Sequence, residues 1–255
     1  VDQDIRSNPN LFWAAHATFL IGPALALFLG RAFTSDRRVL AVSALISIRS
    51  NNVFLGIPAV MTVMGTEGLQ AISLYLAVSL LGYNLLSIIW AQLILSGKLT
   101  LRSLITTLGA LLKNPLILAC LMGVAGSLAG FNKLPQWFDS ALKMVGDSGS
   151  GIALIVLGAT IRFENLGEAM KSTWRDCLFK LFICPAIILC AFQIWPVNQL
   201  LRNTVVLTSA MPAATHNFVI AQSMEMDHEY AGKIVTLSTA LSVFTLPIWV
   251  WILGI

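Results

Sequence analysis

Ile48-Arg49-Ser50-Asn51-Asn52-Val53-Phe54-Leu55-Gly56-Ile57-Pro58 sets an arginine, two adjacent asparagines, a glycine and a proline inside a long apolar segment, 39–65. Arg49 follows Arg38 by 11 residues, which at ~1.5 Å per residue puts it about 16 Å into a bilayer, close to the centre. A charge at that depth costs at least several kcal/mol unless it is paired or faces water. The polar cluster, with Gly56 and Pro58 behind it, therefore predicts a broken helix rather than a continuous crossing. A second cluster, Pro212-Ala213-Ala214-Thr215-His216-Asn217, interrupts a later apolar segment, 204–224. Helix N-termini turned toward such breaks offer free N–H donors to an anion. Arg49, Asn51, Asn52, His216 and Asn217 are thus candidate solute-binding residues, with Gly56, Pro58 and Pro212 as the breaking residues. A bond to a neighbouring helix is the competing role for each amide, and a permanent pair with Asp147 is the competing role for Arg49.

The composition around these clusters is that of a membrane protein. Apolar residues make up 57% of the 255 and charged residues 11%, against roughly 25% charged in a soluble domain, and the mean hydropathy is +0.81. The net charge of +4 does not form the basic stripe that nucleic-acid binding needs, because the cations fall in short inter-helix loops. Cys120, Cys177, Cys184 and Cys190 lie in or beside apolar runs without a CxxC pair or ligating neighbours. They read as packing residues, and neither a metal nor another cofactor is implied.

Eight segments are long and apolar enough to cross a bilayer: roughly 11–30, 39–65, 70–96, 115–131, 137–161, 178–195, 204–224 and 234–255. Residues 99–113, with leucines at helical spacing, read as an interfacial amphipathic helix. Alternate loops then carry eleven basic residues on one side, among them Arg31, Arg37, Arg38, Lys98, Arg175 and Lys180, and four on the other. The excess marks loops 31–38, 97–114 and 162–177 as cytoplasmic.

Two halves echo one another. Gly22-Pro23-Ala24 matches Cys184-Pro185-Ala186 at a spacing of 162, Asn52-Val53-Phe54 matches Asn217-Phe218-Val219 at 165, and Glu67 matches Glu229 at 162. The later copy, 115–255, holds five segments and the earlier one, within 1–98, holds three, so the offset predicts two further helices ahead of residue 1. An odd number of crossings inverts the second copy, the arrangement that places a transport site at mid-membrane between discontinuous helices. The expected class is an all-α membrane protein: an inverted five-helix repeat with two broken crossing helices. The expected organisation is an N-terminal repeat, 1–98; a linker helix, 99–114; and a C-terminal repeat, 115–255.

Asn51 to Pro58, N-N-V-F-L-G-I-P, resembles the N-x-x-x-x-G-x-P stretch of the auxin efflux carrier family, which spans plant PIN-type carriers and bacterial malonate- and malate-type permeases. Met211-Pro212-Ala213 with Phe218-Val219-Ile220-Ala221 is similar to that family's second crossover, and Thr236-Leu237-Ser238-Thr239 with Leu246-Pro247 to its last helix. The resemblance implies ten helices, with three from each half forming a moving transport domain (178–255 in the second) on a scaffold that includes 115–161. It also implies a small organic anion, a mono- or dicarboxylate, carried by alternating access past Asn51 and the residues after Pro212. The chain departs from the plant pattern at Ser50 and at Asn217, where those carriers have proline. A coupling ion (proton or sodium) and a homodimer are the partners to look for, beside the carboxylate and the lipid bilayer.

Two rivals stand beside this reading. Gly146-Asp147-Ser148-Gly149 imitates the G-x-S-G of a serine protease, but a nucleophilic serine needs a positioned base, and the run fits close helix packing as well. A cation antiporter of similar fold would need carboxylates inside the membrane; segments 70–96 and 234–255 have none.

Overall fold

The computed structural model describes residues 8–96, 135–160 and 166–255, with 118, 122, 123, 125 and 126 between them. Every element among these is helical. Helix α1 spans Pro9–Arg31 and α2 spans Arg37–Ser47; after a break, a π-helical turn, Asn52–Gly56, leads into α3, Ile57–Ser96. Then come α4, Gln136–Thr160; α5, Leu166–Leu178; a second π-helical turn, Phe179–Ile183; and α6, Cys184–Ile194. Helices α7, Gln199–Ser209, α8, His216–Ser223, and α9, His228–Leu253, complete the order. Four stretches among the described residues are long and apolar enough to cross a membrane: Pro9–Arg31, Asn52–Ser96, Gly167–Ile194 and His228–Leu253. The protein is therefore an integral membrane protein.

Helix α3 is folded on itself at Gly65, where φ is 63° and ψ is −153°. A straight helix would separate Val60 from Gly68 by ~12 Å, yet a Cβ on Gly68 would lie 2.9 Å from the Val60 side chain. The chain thus doubles back, and segments 39–65 and 70–96 are separate limbs, as their sequence suggests. The Gly65 backbone lies where only glycine is at ease, and nothing surrounds the place its Cβ would take. Gly65→Val therefore isolates backbone strain. It is expected to cost about 1–3 kcal/mol, read as a lower melting temperature in detergent.

Among the described residues the core forms two main clusters, beside a small third of Ala26, Phe179 and Cys184. Leu11 and Phe19 of α1, Ile72 and Leu80 of α3, Ile188 of α6, Leu207 of α7 and Trp249 of α9 make one cluster. Leu45 and Ile46 of α2, Ala169 and Cys177 of α5, Ala221 of α8 and Ile234 of α9 make the other. Trp13, Phe28, Phe244 and Trp251 are exposed, as befits side chains turned toward lipid tails or further helices. At one end, the Asp176 carboxylate accepts from Arg175 Nη2 at 2.8 Å, Ser43 Oγ at 2.9 Å and the Tyr230 hydroxyl at 2.6 Å. Arg38 reaches the carbonyls of Glu225 and Met226 beyond α8. These bonds tie α2 to α5, α8 and α9.

Some sequence-based boundaries need correction. Residues 162–177 were expected as a loop, but the chain is helical from Leu166, and the span starting at 178 belongs to a longer helix, Gly167–Ile194. Charges mislead here because Arg175 and Asp176 satisfy each other and the neighbouring helices, so they need no aqueous loop. Lys180, counted among the loop cations, is fully buried. The segments beginning at 204 and 234 start earlier, at Gln199 and His228, because Asn198 and Asp227 accept N–H bonds at the helix starts. The interfacial helix over 99–113 and nearly all of 115–131 lie outside the described residues.

Candidate functional site

Two interruptions sit opposite each other. The first runs from Ile48 to Asn51, between α2 and the π-helical turn, and the second from Ala210 to Thr215, between α7 and α8. Each break strips the chain of intrahelical partners, and in lipid an orphaned N–H or carbonyl costs several kcal/mol. The breaks therefore satisfy one another through an isolated antiparallel bridge, Ser50 with Ala213. The Asn51 N–H donates to the Pro212 carbonyl at 2.8 Å, and the Ala214 N–H to the Arg49 carbonyl at 3.1 Å. The Ala213 N–H donates to Ser238 Oγ of α9 at 3.1 Å. Pro212 has no N–H to bury, and Pro58 sits in the first turn of α3, where an N–H would have had no helical partner. Gly56 closes that turn with its N–H, which donates to the Asn51 carbonyl at 2.9 Å; an added Cβ would meet only ordinary van der Waals contacts, so no close approach demands glycine here.

Arg49 is the charged centre, only 4% exposed. Its Nε donates to Asn217 Oδ1 at 2.9 Å, and one terminal nitrogen, Nη1, to Asn84 Oδ1 at 2.8 Å and Ser87 Oγ at 3.0 Å. Asn217 Nδ2 donates back to the Arg49 carbonyl at 3.2 Å. The guanidinium carbon lies 5.6 Å from the centroid of the Tyr83 ring, close enough for a cation–π contact. Three neutral acceptors thus hold a buried cation, and no carboxylate among the described residues pairs with it. The Asp147 side chain, the competing partner, lies outside what is described. Nη2 takes part in none of these bonds.

The remaining candidates divide. Asn51 and Asn52 are buried beside the bridge, and Asn51 Nδ2 and Asn52 Oδ1 have no hydrogen-bond partner. His216 begins α8 with its side chain exposed and makes no part of the buried contact. The pairing of Arg49 with Asn217 joins residues 168 apart in the chain. Asn84, Ser87 and Tyr83 were missed as site residues, although Asn84 and Ser87, one turn apart in an apolar helix, give a visible signal. Lys180 was missed too, although it stands in the apolar run Leu178-Phe179-Lys180-Leu181-Phe182.

Ser148 spends its hydroxyl on its own helix, donating to the Met144 carbonyl at 2.8 Å from an exposed position. That is the ordinary bond of a helical serine. Ser148→Ala is therefore expected to leave both stability and any transport activity unchanged, the first read by thermal melting and the second by uptake.

Comparison with known proteins identifies the family. Residues 4–250 match the family described as membrane transport protein. An uncharacterized transporter of Methanocaldococcus jannaschii is 22% identical over 240 residues, 90% of this chain and 74% of its own. One from Methanothermobacter thermautotrophicus is 25% identical over 200 residues, 78% of this chain and 63% of its own. Auxin efflux carrier component 8 of Arabidopsis thaliana is 23% identical over 158 residues, 58% of this chain and 43% of that carrier. The chain thus spans from less than half to about three quarters of the length of these relatives. The family match runs through both interrupted helices, and the chain belongs to the membrane transport protein family, that of the auxin efflux carriers, as a transport protein rather than an enzyme.

Proposed function

We propose that this protein is a secondary transporter that moves a small organic anion, a mono- or dicarboxylate, by alternating access. Its solute site is the meeting of the two breaks: Arg49 supplies the charge, Asn51, Asn52 and Asn217 the neutral hydrogen bonds, and His216 stands at the rim. The observation that carries the reading is a buried guanidinium that pairs with no carboxylate among the described residues, in the same break as amide atoms without partners. Nη2, an Asn51 N–H pair and the helix starts after each break are all donors, which suits an acceptor-rich solute. One of the relatives is named an auxin efflux carrier, and that adds support.

In the same proposal the halves 1–98 and 115–255 are inverted copies, 115–161 belongs to a static scaffold, and 178–255 moves with α1 to α3. The protein works in a bacterial inner membrane, as a homodimer, with a proton or sodium ion as the driving partner. A thermal-shift panel on the purified protein tests the solute class. Carboxylates should raise the melting temperature in a saturable way, while their neutral amides and cationic amine analogues should not. Stabilisation by amines, or equal response to acids and amides, would remove the anion reading.

A further inference from the structure

Lys180 is one of the largest fully buried side chains in the protein, and no carboxylate among the described residues pairs with it. It lies in the π-helical turn Phe179–Ile183, a local widening that often marks a functional position. Its ammonium donates to Ser50 Oγ in the first break, to the Ser209 carbonyl at 3.2 Å and to Cys184 Sγ at 3.7 Å. Ser209 is the last residue of α7, so its carbonyl belongs to the negative end of a half-helix with no N–H following to fill it. Ser50 Oγ in turn donates to that same carbonyl at 3.2 Å. Tyr75 of α3 also interacts with Ser209 and Cys184.

This is the set of groups that binds a monovalent metal ion in other interrupted-helix carriers: an unwound segment, a half-helix C-terminus and a hydroxyl, all turned toward one point. Here the point is filled from within. Arg49 lies next to Ser50 in the chain, but its guanidinium goes to Asn217, Asn84 and Ser87, so the two cations serve different groups of acceptors.

We propose that the Lys180 ammonium is a tethered substitute for a bound sodium ion at the junction of the two breaks, and that removing it opens a sodium site. The junction is then held in every state of the transporter without an ion from solution, and the positive charge travels with the helices that carry it. The inference is independent of the solute, so its failure would leave the organic-anion reading in place, and the reverse.

The test compares melting temperatures of the purified wild type, Lys180→Ala and Lys180→Met in sodium chloride and in choline chloride at matched ionic strength. Wild type should melt at the same temperature in both salts. Lys180→Ala should melt lower in choline and recover in sodium, by about 3 °C for each tenfold rise in sodium above half-saturation. Lys180→Met removes the donor but fills the volume an ion would need, and should melt low and ignore sodium. A purely structural lysine would give equal losses in both salts for both variants. The proposal is overturned by a sodium-indifferent Lys180→Ala, by failure of that variant to fold even in sodium, or by sodium dependence in wild type.

Discussion

Asn217→Asp is expected to weaken organic-anion binding by at least about 100-fold while leaving the protein folded. Asn217 is fully buried and grips Arg49 twice, accepting from Nε at 2.9 Å and donating to the main-chain carbonyl at 3.2 Å. The aspartate keeps the acceptor and the shape, and turns a neutral hydrogen bond into a charge-assisted one. Two unit charges ~4 Å apart interact by about 4 kcal/mol at an effective dielectric constant of ~20, a factor of ~10³ in affinity that an arriving carboxylate would have to overcome. The lost donor to the Arg49 carbonyl sets a modest opposing cost of about 1–3 kcal/mol. Equilibrium binding of the best-stabilising carboxylate and thermal melting, measured on the same preparation, check both halves. Retained affinity in the aspartate variant would take Arg49 out of the anion site.

Arg49→Gln should lose about 2–5 kcal/mol of carboxylate binding if a desolvated charge pair forms with the solute. It should also cost stability, because Asn217, Asn84 and Ser87 lose the donor they share; hydrogen bonds to a charged group are worth about 1.5–3 kcal/mol. Arg49→Lys separates these effects. The ammonium keeps the charge but cannot reproduce the planar fork, so it should bind carboxylates better than glutamine does and still less well than arginine. The ratio of acid to neutral-amide binding is the decisive readout: a purely structural arginine would alter melting temperature and leave that ratio untouched.

The two breaks were legible because each combines features that no continuous membrane helix tolerates together. Arg49 with Asn51, Asn52, Gly56 and Pro58, and Pro212 with His216 and Asn217, announce their places in the chain. Their antiparallel bridge was less visible, since Ser50 and Ala213 carry no pairing signal; it follows from orphaned backbone groups finding each other. The partners of Arg49, Asn217 among them, went unread for a related reason. Asn84 and Ser87 look like helix–helix contacts until the fold brings α3 against the break. Lys180 and Arg175 were misplaced because a basic residue near the end of an apolar run reads as loop, whereas acceptors on other segments satisfy both inside the bundle. The spacing between the two polar clusters carried no information about which side chains would meet.

Uptake by reconstituted proteoliposomes tests the central claim most directly. Labelled mono- and dicarboxylates, their neutral amides and cationic amines of similar size are offered to vesicles holding wild type or Asn217→Asp, with and without imposed proton and sodium gradients. The account predicts saturable carboxylate uptake by wild type that unlabelled carboxylates compete away, no uptake of amides or amines, and near-background carboxylate uptake in Asn217→Asp. Saturable uptake of amines, or carboxylate uptake that is unchanged in the aspartate variant, would contradict it.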